Sequence, residues 1–303
     1  MGYQADNAVI MAAGLSSRFA PLSYEKPKAL IPVRGEVLIE RQIRQLREAG
    51  IPEIYVVTGY KSEQFQYLEQ KWNVKLIHNP EYLERNNNGS IYAARDVLKN
   101  SYLCSADNYF TENPFTSEVE DSYYAAVYSE GETKEWCMKT DEAGWITDVS
   151  VGGRDSWYMM GHTFWSEAFT ETFLEILERE YQFPETREKL WEDIYLEHLD
   201  LLPMKLRPYE TSVIFEFDSL DELRQFDPWY QKESGSRIMR KIAELLRCEE
   251  REIEEITPVK QGNLACGMSF ICCGIRYVYD YEKGEVCREN KGGENESAKK
   301  RRT

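Results

Sequence analysis

The chain has 303 residues, of which 42% are hydrophobic and 13% aromatic, so it can fold around a substantial buried core. Its formal net charge of −16 argues against a general nucleic-acid-binding protein, because that function needs clustered lysine and arginine. The sequence carries no run long enough for a membrane helix and no signal-peptide pattern, so we expect a cytoplasmic protein without membrane insertion.

The cysteines and histidines show no spacing typical of a disulfide framework or a metal site. The seven cysteines are an odd number without CxxC spacing, so neither a disulfide framework nor a zinc site is predicted. The three histidines, His78, His162 and His198, have no second metal-type ligand at a suitable spacing. We expect them to be structural, and we look for catalysis elsewhere.

Strands and helices alternate over the first 107 residues. The pattern predicts strands at 7–13, 53–58, 74–78 and 102–106, and helices at 36–49, 61–72 and 90–98. This order predicts an α/β fold with a Rossmann-like mixed, mainly parallel sheet flanked by helices. Ligands bind beyond the carboxyl ends of such strands. The loop at Gly14 and the side chain of Asp107 follow two of these ends.

The remainder of the chain predicts a domain boundary. Residues 123–151 are typical of antiparallel strands, 166–181 and 186–199 of helices, and 212–217 of a last strand before Asp218. A polar linker lies near 230–235. We therefore predict a main catalytic domain over 1–230 and a small α+β appendage of a helix and a β-hairpin over 235–281. The tail, 282–303, is poor in apolar residues and is predicted to be disordered.

Two segments carry the strongest functional signal: MAAGLSSR at 11–18 and KPKALIP at 26–32. Small residues let backbone N–H groups approach phosphate oxygens, and Arg18 and Lys28 supply the local positive charge that an anionic substrate needs on this acidic chain. The segment is neither a Walker A loop nor a dinucleotide fingerprint. The alternative is a strand-to-helix turn with two surface cations. The residues predicted to bind a nucleotide here are Ala12, Ala13, Gly14, Leu15 and Ser16.

These segments resemble the signature of the nucleotidyltransferases that activate sugar phosphates and related phosphates, in which AAGxGxRxxP precedes PKAL. Ser16 stands where that family usually has its second glycine. From Ala5 to about Pro228 the chain further resembles the bacterial CTP:phosphocholine cytidylyltransferases. The matching motifs are VTGY at 57–60, NN at 86–87 with Ser90, ADN at 106–108, EW at 135–136, LW at 190–191 with Asp193, and EFD at 216–218.

The resemblance implies a fold of the nucleotide-diphospho-sugar transferase type and a Mg²⁺-dependent reaction. CMP would pass from CTP to phosphocholine, giving CDP-choline and pyrophosphate. An acceptor oxygen attacks the α-phosphorus in line, so the enzyme mainly positions groups and neutralises charge. Arg18, Lys28 and Asp107 are the implied catalytic residues. The implied metal ligands are Asp107 and Asp218, with Glu216 assisting, although any single aspartate is more often a cap or turn residue.

Recognition of the base and of the acceptor is assigned to separate groups. The candidates for nucleotide recognition are the backbone near Gly59, the side chains of Asn87 and Ser90, and Ala106. The alternative for residues 86–90 is an Asn/Gly turn and helix cap without a role in binding. A quaternary ammonium needs aromatic faces with a carboxylate nearby. Trp136, Trp191 and Asp193 are the candidates for choline; the alternative is that these tryptophans belong to the core.

Two other functions are compatible with the sequence. One is a sugar-1-phosphate uridylyl- or thymidylyltransferase on the same scaffold, and the other is a regulatory protein that binds nucleotide without turnover. Residues 242–279 also resemble the start of a choline or ethanolamine kinase, too short for kinase activity. The expected partners are CTP and phosphocholine, with no nucleic acid, and a homodimer is compatible with the sequence.

Overall fold

The computed structural model describes residues 2–289 and 296–297. The chain forms two compact units. The first comprises Met1–Gly14 and Glu36–Glu216, and the second comprises Leu15–Gly35 and Phe217–Thr303. This division differs from the predicted boundary near residue 230, because the segment after Gly14 packs with the C-terminal part of the chain.

The strands account for most of the regular structure. They are β1 (Tyr3–Gln4), β2 (Asn7–Ala12), β3 (Pro32–Val33), β4 (Glu36–Val37), β5 (Glu53–Thr58), β6 (Lys75–His78), β7 (Ser101–Ser105), β8 (Asn108–Phe110), β9 (Glu118–Val119), β10 (Tyr123–Thr140), β11 (Ile146–Trp165), β12 (Lys205–Tyr209), β13 (Ile214–Glu216), β14 (Ile253–Gln261), β15 (Leu264–Cys272), β16 (Ile275–Asp280), β17 (Glu285–Arg288) and β18 (Glu296–Ser297).

The α-helices are mostly short. They are α1 (Leu22–Glu25), α2 (Leu38–Glu48), α3 (Tyr67–Trp72), α4 (Asn88–Ala94), α5 (Glu167–Glu180), α6 (Trp191–Glu197), α7 (Leu220–Phe226) and α8 (Arg237–Leu246). No helix in the described part of the chain combines the length and the apolarity needed to span a membrane.

A seven-stranded sheet organises the first unit, in the order β12-β10-β11-β7-β2-β5-β6. Strands β7, β2, β5 and β6 run parallel to one another, whereas β11 is antiparallel to β7 and β10 is antiparallel to β11. Central parallel strands are covered on both faces, which explains the continuous apolar run of β2. The predicted mixed, mainly parallel sheet is confirmed.

Helix α2 shows how local sequence determines the flanking layer. Ile39, Ile43 and Leu46 recur at helical spacing and are completely buried. The helix ends at Glu48 and is followed by Gly50, whose φ of 81° is the left-handed conformation that glycine adopts without a Cβ penalty. The amide of Ile51 then donates to the carbonyl of Leu46, which closes the helix end.

An aromatic cluster of the first unit lies beneath β10 and β11, where α5 and α6 pack. Trp165, Phe173, Trp191 and Tyr195 are each at most 1% exposed. The indole of Trp191 meets that of Trp165 edge-on at 5.1 Å and stacks on Tyr124 at 5.7 Å. These rings fix the position of α6 against the sheet.

The second unit contains α7, α8 and an antiparallel meander in the order β14-β15-β16-β17-β18. Ser236 caps α8, since its hydroxyl accepts a hydrogen bond from the amide of Met239. A small C-terminal α+β element is therefore present. Of the tail predicted to be disordered, Glu285–Arg288 forms β17, and residues 290–295 and 298–303 lie outside the described residues.

Candidate active site

The carboxyl ends of four neighbouring parallel strands gather most of the residues that the sequence assigns to nucleotide binding. Met11 of β2 lies opposite Ser105 of β7, and Ala12 lies opposite Thr58 of β5. The amide of Ala106 donates to the carbonyl of Met11 at 3.2 Å. The loops that begin with Ala13, Gly59 and Ala106 therefore leave the same edge of the sheet. This is the edge at which ligands bind in such sheets.

Gly59 is required by close packing at this edge. A Cβ at Gly59 would lie 2.6 Å from the Cγ atom of Tyr82 and 2.9 Å from the carbonyl oxygen of Ala13. Gly14 differs, since a Cβ there would meet no atom within 4 Å in the described structure. Because Gly14 has no side chain, its backbone stays accessible, as phosphate binding to N–H groups requires.

The side chains predicted to read the base already have protein partners. Ser90 is 4% exposed, and its hydroxyl accepts a hydrogen bond from Asn79 Nδ2 at 3.3 Å. Asn87 Oδ1 accepts the amide hydrogen of Trp191 at 2.7 Å, and its Nδ2 donates to Glu192 Oε2 at 3.1 Å. Both residues thus join the edge loops to the neighbouring helices, and direct contact of either with a base stays a prediction.

Glu192 lies at the centre of a partly buried polar network. Its carboxylate accepts hydrogen bonds from Asn87 and from the hydroxyl of Tyr124, the latter at 3.2 Å. Burial raises the pKa of Glu192 to about 7, although the hydrogen bonds oppose the shift. The carboxyl therefore changes charge near neutral pH, which structural surface carboxylates do not do.

A cavity of about 240 Å³ opens beside this network. Its walls combine an aromatic face, methionine side chains and three carboxylates. The lining residues are Ser105, Tyr124, Glu135, Trp136, Met159, Met160, Gly161, Leu190, Glu192 and Glu216. An apolar wall with carboxylates suits a small organic cation, since the ring face and the negative charges attract it together.

The three residues predicted to bind choline have different fates. Trp136 lines the cavity. Trp191 is 1% exposed within the aromatic cluster, so its ring offers no face to a ligand. Asp193 caps α6, since its carboxylate accepts the amide hydrogen of Leu190 at 2.7 Å. For Trp191 and Asp193 the structure places the side chains in the core and at a helix cap, and only Trp136 is at the cavity wall.

Two of the three carboxylates predicted to hold a metal, Asp107 and Glu216, lie on neighbouring elements of the first unit, whereas Asp218 belongs to the second. Asp107 occupies the turn between β7 and β8, and β8 pairs antiparallel with β13 so that Asn108 lies opposite Glu216. Asn108 Nδ2 donates to Glu216 Oε2 at 3.4 Å. Carboxylate oxygens are the ligands that Mg²⁺ prefers, so the donor set of Asp107 and Glu216 fits that ion.

The loop of the second unit carries the predicted cations. Ser16 has φ 47° and ψ 42°, the left-handed conformation, and its carbonyl accepts the amide hydrogen of Phe19. Arg18 forms an ion pair with Asp218 at 2.7 Å, and both side chains are solvent-accessible. Lys28 is 4% exposed, with its ammonium group 5.5 Å from the ring centre of Phe19. Burial of an ammonium group is costly unless its charge is compensated.

One other cluster among the described residues has the composition of a metal site: Glu180, Glu197 and His198. The ammonium group of Lys189 lies 2.5 Å from Glu197 and 3.7 Å from Glu180. The negative charge of this cluster is therefore already balanced by a lysine. We assign it no metal.

Comparison with known proteins agrees with this geometry. A family model described as a MobA-like NTP transferase domain matches residues 8–133. Choline-phosphate cytidylyltransferase from Streptococcus pneumoniae is 33% identical over 227 residues, covering 75% of this chain and 99% of that protein. The chain belongs to the choline-phosphate cytidylyltransferase family.

One further relative and a solved structure agree with this assignment. A 2-aminoethylphosphonate cytidylyltransferase from Lancefieldella rimae is 38% identical over 228 residues, covering 74% of this chain and 93% of its own. The solved structure of CTP:phosphocholine cytidylyltransferase from Streptococcus pneumoniae gives a TM-score of 0.71 at 32% identity, covering 75% of this chain and 99% of that one. The predicted nucleotidyltransferase fold and enzyme class are confirmed.

Membership of the family decides between the functions left open by the sequence. It supports a cytidylyltransferase over a sugar-1-phosphate uridylyl- or thymidylyltransferase and over a non-catalytic regulator. The resemblance of residues 242–279 to a choline or ethanolamine kinase gains no support from these comparisons.

Sequence reasoning missed two residues that shape the cavity, Tyr124 and Glu192. Tyr124 belongs to a strand whose pattern predicts only burial. Glu192 follows Trp191 directly, and its acidic character alone does not distinguish it from the exposed carboxylates of this acidic chain. The available signal was the apolar sequence around α6, in which a glutamate is uncommon.

Proposed function

We propose that this protein transfers CMP from CTP to phosphocholine, producing CDP-choline and pyrophosphate. The observation that carries the proposal is the cavity in which Trp136 and Glu192 lie beside Ser105, at the end of the strand that leads to Asp107. A cation-binding wall next to a candidate metal ligand suits an acceptor with a quaternary ammonium at one end and a phosphate at the other. Since CTP is a cytoplasmic metabolite, we place the enzyme in the cytoplasm.

Each group in this proposal has a separate task. Backbone amides from Ala12 to Ser16 would approach the phosphates, and Arg18 and Lys28 would neutralise them. Mg²⁺ would be held by Asp107, Glu216 and Asp218, and when bound it neutralises charge on the phosphate oxygens. The protein supplies position and charge, and no protein nucleophile is needed.

A second candidate acceptor is 2-aminoethylphosphonate. The relative from Lancefieldella rimae named for that substrate is 38% identical to this chain. In addition, two carboxylates besides the candidate metal ligand Glu216, namely Glu135 and Glu192, line the cavity, and a primary ammonium can donate hydrogen bonds to such groups whereas a trimethylammonium cannot. The same pocket would then serve a smaller and more polar cation.

A pyrophosphate-release assay separates these candidates. CTP, UTP, dTTP and ATP are each combined with phosphocholine, phosphoethanolamine, 2-aminoethylphosphonate and glucose-1-phosphate. We expect CTP with phosphocholine to give the highest kcat/KM. A higher value with 2-aminoethylphosphonate would select the second candidate. Turnover of glucose-1-phosphate with UTP, without turnover of CTP and phosphocholine, would contradict the proposal.

The Asp107→Asn variant tests the assignment of the metal. Replacing a charged ligand with a neutral one is expected to reduce kcat by at least about 100-fold while thermal stability is retained. Asp148→Asn is a matched control, because Asp148 is a surface residue paired with Lys139 on the β10–β11 hairpin. Wild-type turnover in Asp107→Asn would remove Asp107 from the metal site.

The Trp136→Ala variant tests the acceptor wall. Loss of the ring face is expected to raise KM for phosphocholine by about 5- to 30-fold, with CTP affinity unchanged. Trp136→Phe keeps an aromatic face and is expected to recover most of the affinity. An unchanged KM in Trp136→Ala would show that phosphocholine does not contact this wall.

A further inference from the structure

The loop Leu15–Gly35 is fastened to the C-terminal part of its own unit. The amide of Arg34 donates to Asp227 Oδ2 at 2.6 Å, and the hydroxyl of Tyr230 donates to the carbonyl of Pro32 at 2.7 Å. These contacts involve residues near the end of the segment that resembles the cytidylyltransferases. They stabilise the C-terminal end of the loop, after Lys28.

Two more contacts reach the loop from residues beyond that segment. The carboxylate of Glu25 accepts the amide hydrogens of Arg237, at 3.1 Å, and of Ile238, at 3.3 Å, at the N-terminus of α8. The ring of Tyr24 stacks on that of Tyr281 with centroids 4.0 Å apart and planes at 29°. Both contacts attach the middle of the loop to the helix and sheet of the C-terminal segment.

The location of these contacts relative to the two cations gives them a function. Tyr24 and Glu25 lie in the sequence between Arg18 and Lys28, the residues proposed to neutralise the triphosphate. The Glu25 side chain is only 16% exposed, and a carboxylate at a helix N-terminus is favoured by the unpaired amides and by the helix dipole. A loop held in this way loses less conformational freedom when it binds a ligand.

We infer that the C-terminal helix and sheet contribute to nucleotide binding by ordering the loop that binds CTP, with Glu25 and Tyr281 as positioning residues. This inference rests on the proposed function, because it concerns the same triphosphate. The C-terminal segment acts through the conformation of the loop and contacts no substrate itself. It is a brace for the loop, and the kinase resemblance has no part in its role.

The test uses full-length Glu25→Ala and Tyr281→Ala. Each variant is expected to raise the dissociation constant for CTP with Mg²⁺, measured calorimetrically, by about 5- to 20-fold through loss of pre-organisation. KM for the acceptor is expected to stay within about twofold of the wild-type value. Glu25→Asp and Tyr281→Phe keep the carboxylate and the ring, so they are expected to recover most of the CTP affinity.

Two matched controls also replace a glutamate and a tyrosine with alanine, but at positions of the C-terminal sheet outside these contacts. Glu254→Ala removes an exposed carboxylate of β14, and Tyr277→Ala removes a ring that stacks on Phe270 instead of the loop. Both controls are expected to bind CTP like the wild type. Reduced thermal stability with wild-type CTP affinity in Glu25→Ala and Tyr281→Ala would reduce the segment to a structural role and overturn the inference.

Hydrogen exchange of residues 15–30 without nucleotide provides a measurement that does not depend on the reaction. Faster exchange in Glu25→Ala and Tyr281→Ala than in the controls is expected. Unchanged exchange in both variants would overturn the inference that the C-terminal segment orders the loop, whatever the activity of these variants. If exchange rises but wild-type protein does not bind CTP, the proposed function fails while the contacts still order the loop.

Discussion

Ser16 adopts a left-handed backbone conformation at a position where the wider nucleotidyltransferase signature usually has glycine. A residue with a Cβ pays roughly 1–2 kcal/mol in that region, and glycine pays nothing there but loses more entropy on folding. The conformation at Ser16, with φ 47°, therefore gives a backbone reason for the glycine of the signature. Serine preserves the loop shape at a cost in stability.

Replacing Ser16 with glycine is expected to stabilise the protein by about 0.5–1 kcal/mol, since relief of the strained conformation exceeds the added entropy of the unfolded chain. Urea denaturation measures the change in the free energy of unfolding. Ser16→Val, which introduces a β-branched side chain, is expected to destabilise the protein. A less stable Ser16→Gly variant would contradict the argument.

We expect Glu192 to make acceptor binding depend on pH. Its pKa of about 7 means that the ionised form, which attracts a cationic acceptor, becomes dominant as the pH rises through neutrality. We expect KM for phosphocholine to fall between pH 6 and pH 8. Steady-state kinetics at saturating CTP measures this dependence.

Glu192→Gln separates the carboxyl from the titrating phosphate of the substrate. The amide keeps the shape and cannot ionise, so the variant is expected to have a higher KM at pH 8 and a flatter pH profile. An identical profile in wild type and variant would assign the dependence to the substrate phosphate. Without ligand, the raised pKa of Glu192 also makes stability fall as the pH rises from about 4.5 to about 7, since only the folded state retains the proton there.

At the scale of elements, the two glycines of the sheet edge make a contrasting pair. Gly59→Ala places a methyl group against Tyr82 and the carbonyl of Ala13, so it is expected to destabilise the fold by about 1–3 kcal/mol. Gly14→Ala meets no neighbour in the described structure, so stability is expected to hold while the dissociation constant for CTP rises. Thermal denaturation and calorimetric titration of both variants check the pair. Equal stability losses would remove the distinction.

Elements with strong local patterns were predictable from the sequence. Strands β2 and β5 and helix α2 were expected within two residues at either end, because continuous apolar runs and helical spacing specify them directly. Residues 61–72 were predicted as one helix, whereas a 3-10 turn at Ser62–Phe65 precedes α3. Such breaks depend on tertiary packing, which local propensity does not report.

The candidate site shows the same limit at α6. The sequence pointed to the correct helix, but successive residues of a helix point about 100° apart, so the face directed at a cavity depends on how the helix packs. Trp191 packs inward and its neighbour Glu192 lines the cavity. The aromatic cluster beneath β10 and β11 decides this rotation, and no motif within residues 190–193 encodes it.

At the scale of the whole molecule, His162 is expected to make the folded state less stable in acid. It is completely buried, and burial together with the charge of Arg207 lowers its pKa to about 3. The unfolded chain takes up a proton below about pH 6.5, and the folded chain does so only near pH 3. The contribution of His162 to stability is therefore expected to fall as the pH drops from about 6.5 towards 3, opposite in sign to the contribution of Glu192.

His162→Phe removes this titration and provides the test. Thermal midpoints are compared between pH 6.5 and pH 4, and the variant is expected to show a shallower decline with acid than the wild type, whatever its absolute stability. The hydroxyl of Tyr123 lies 2.8 Å from Nε2 of His162, so Phe loses that hydrogen bond at every pH. Parallel declines would show that other groups determine acid sensitivity.

The anchoring of the loop also determines when it can form during synthesis. Pro32 and Tyr230 are 198 residues apart, and Glu25 and Arg237 are 212 apart. At about 5–20 residues per second, a ribosome needs roughly 10–40 s to make the partners after the loop has been translated. The early-translated signature loop thus waits for the late-translated half of its unit. A nascent chain interrupted before α8 would expose the loop without its brace.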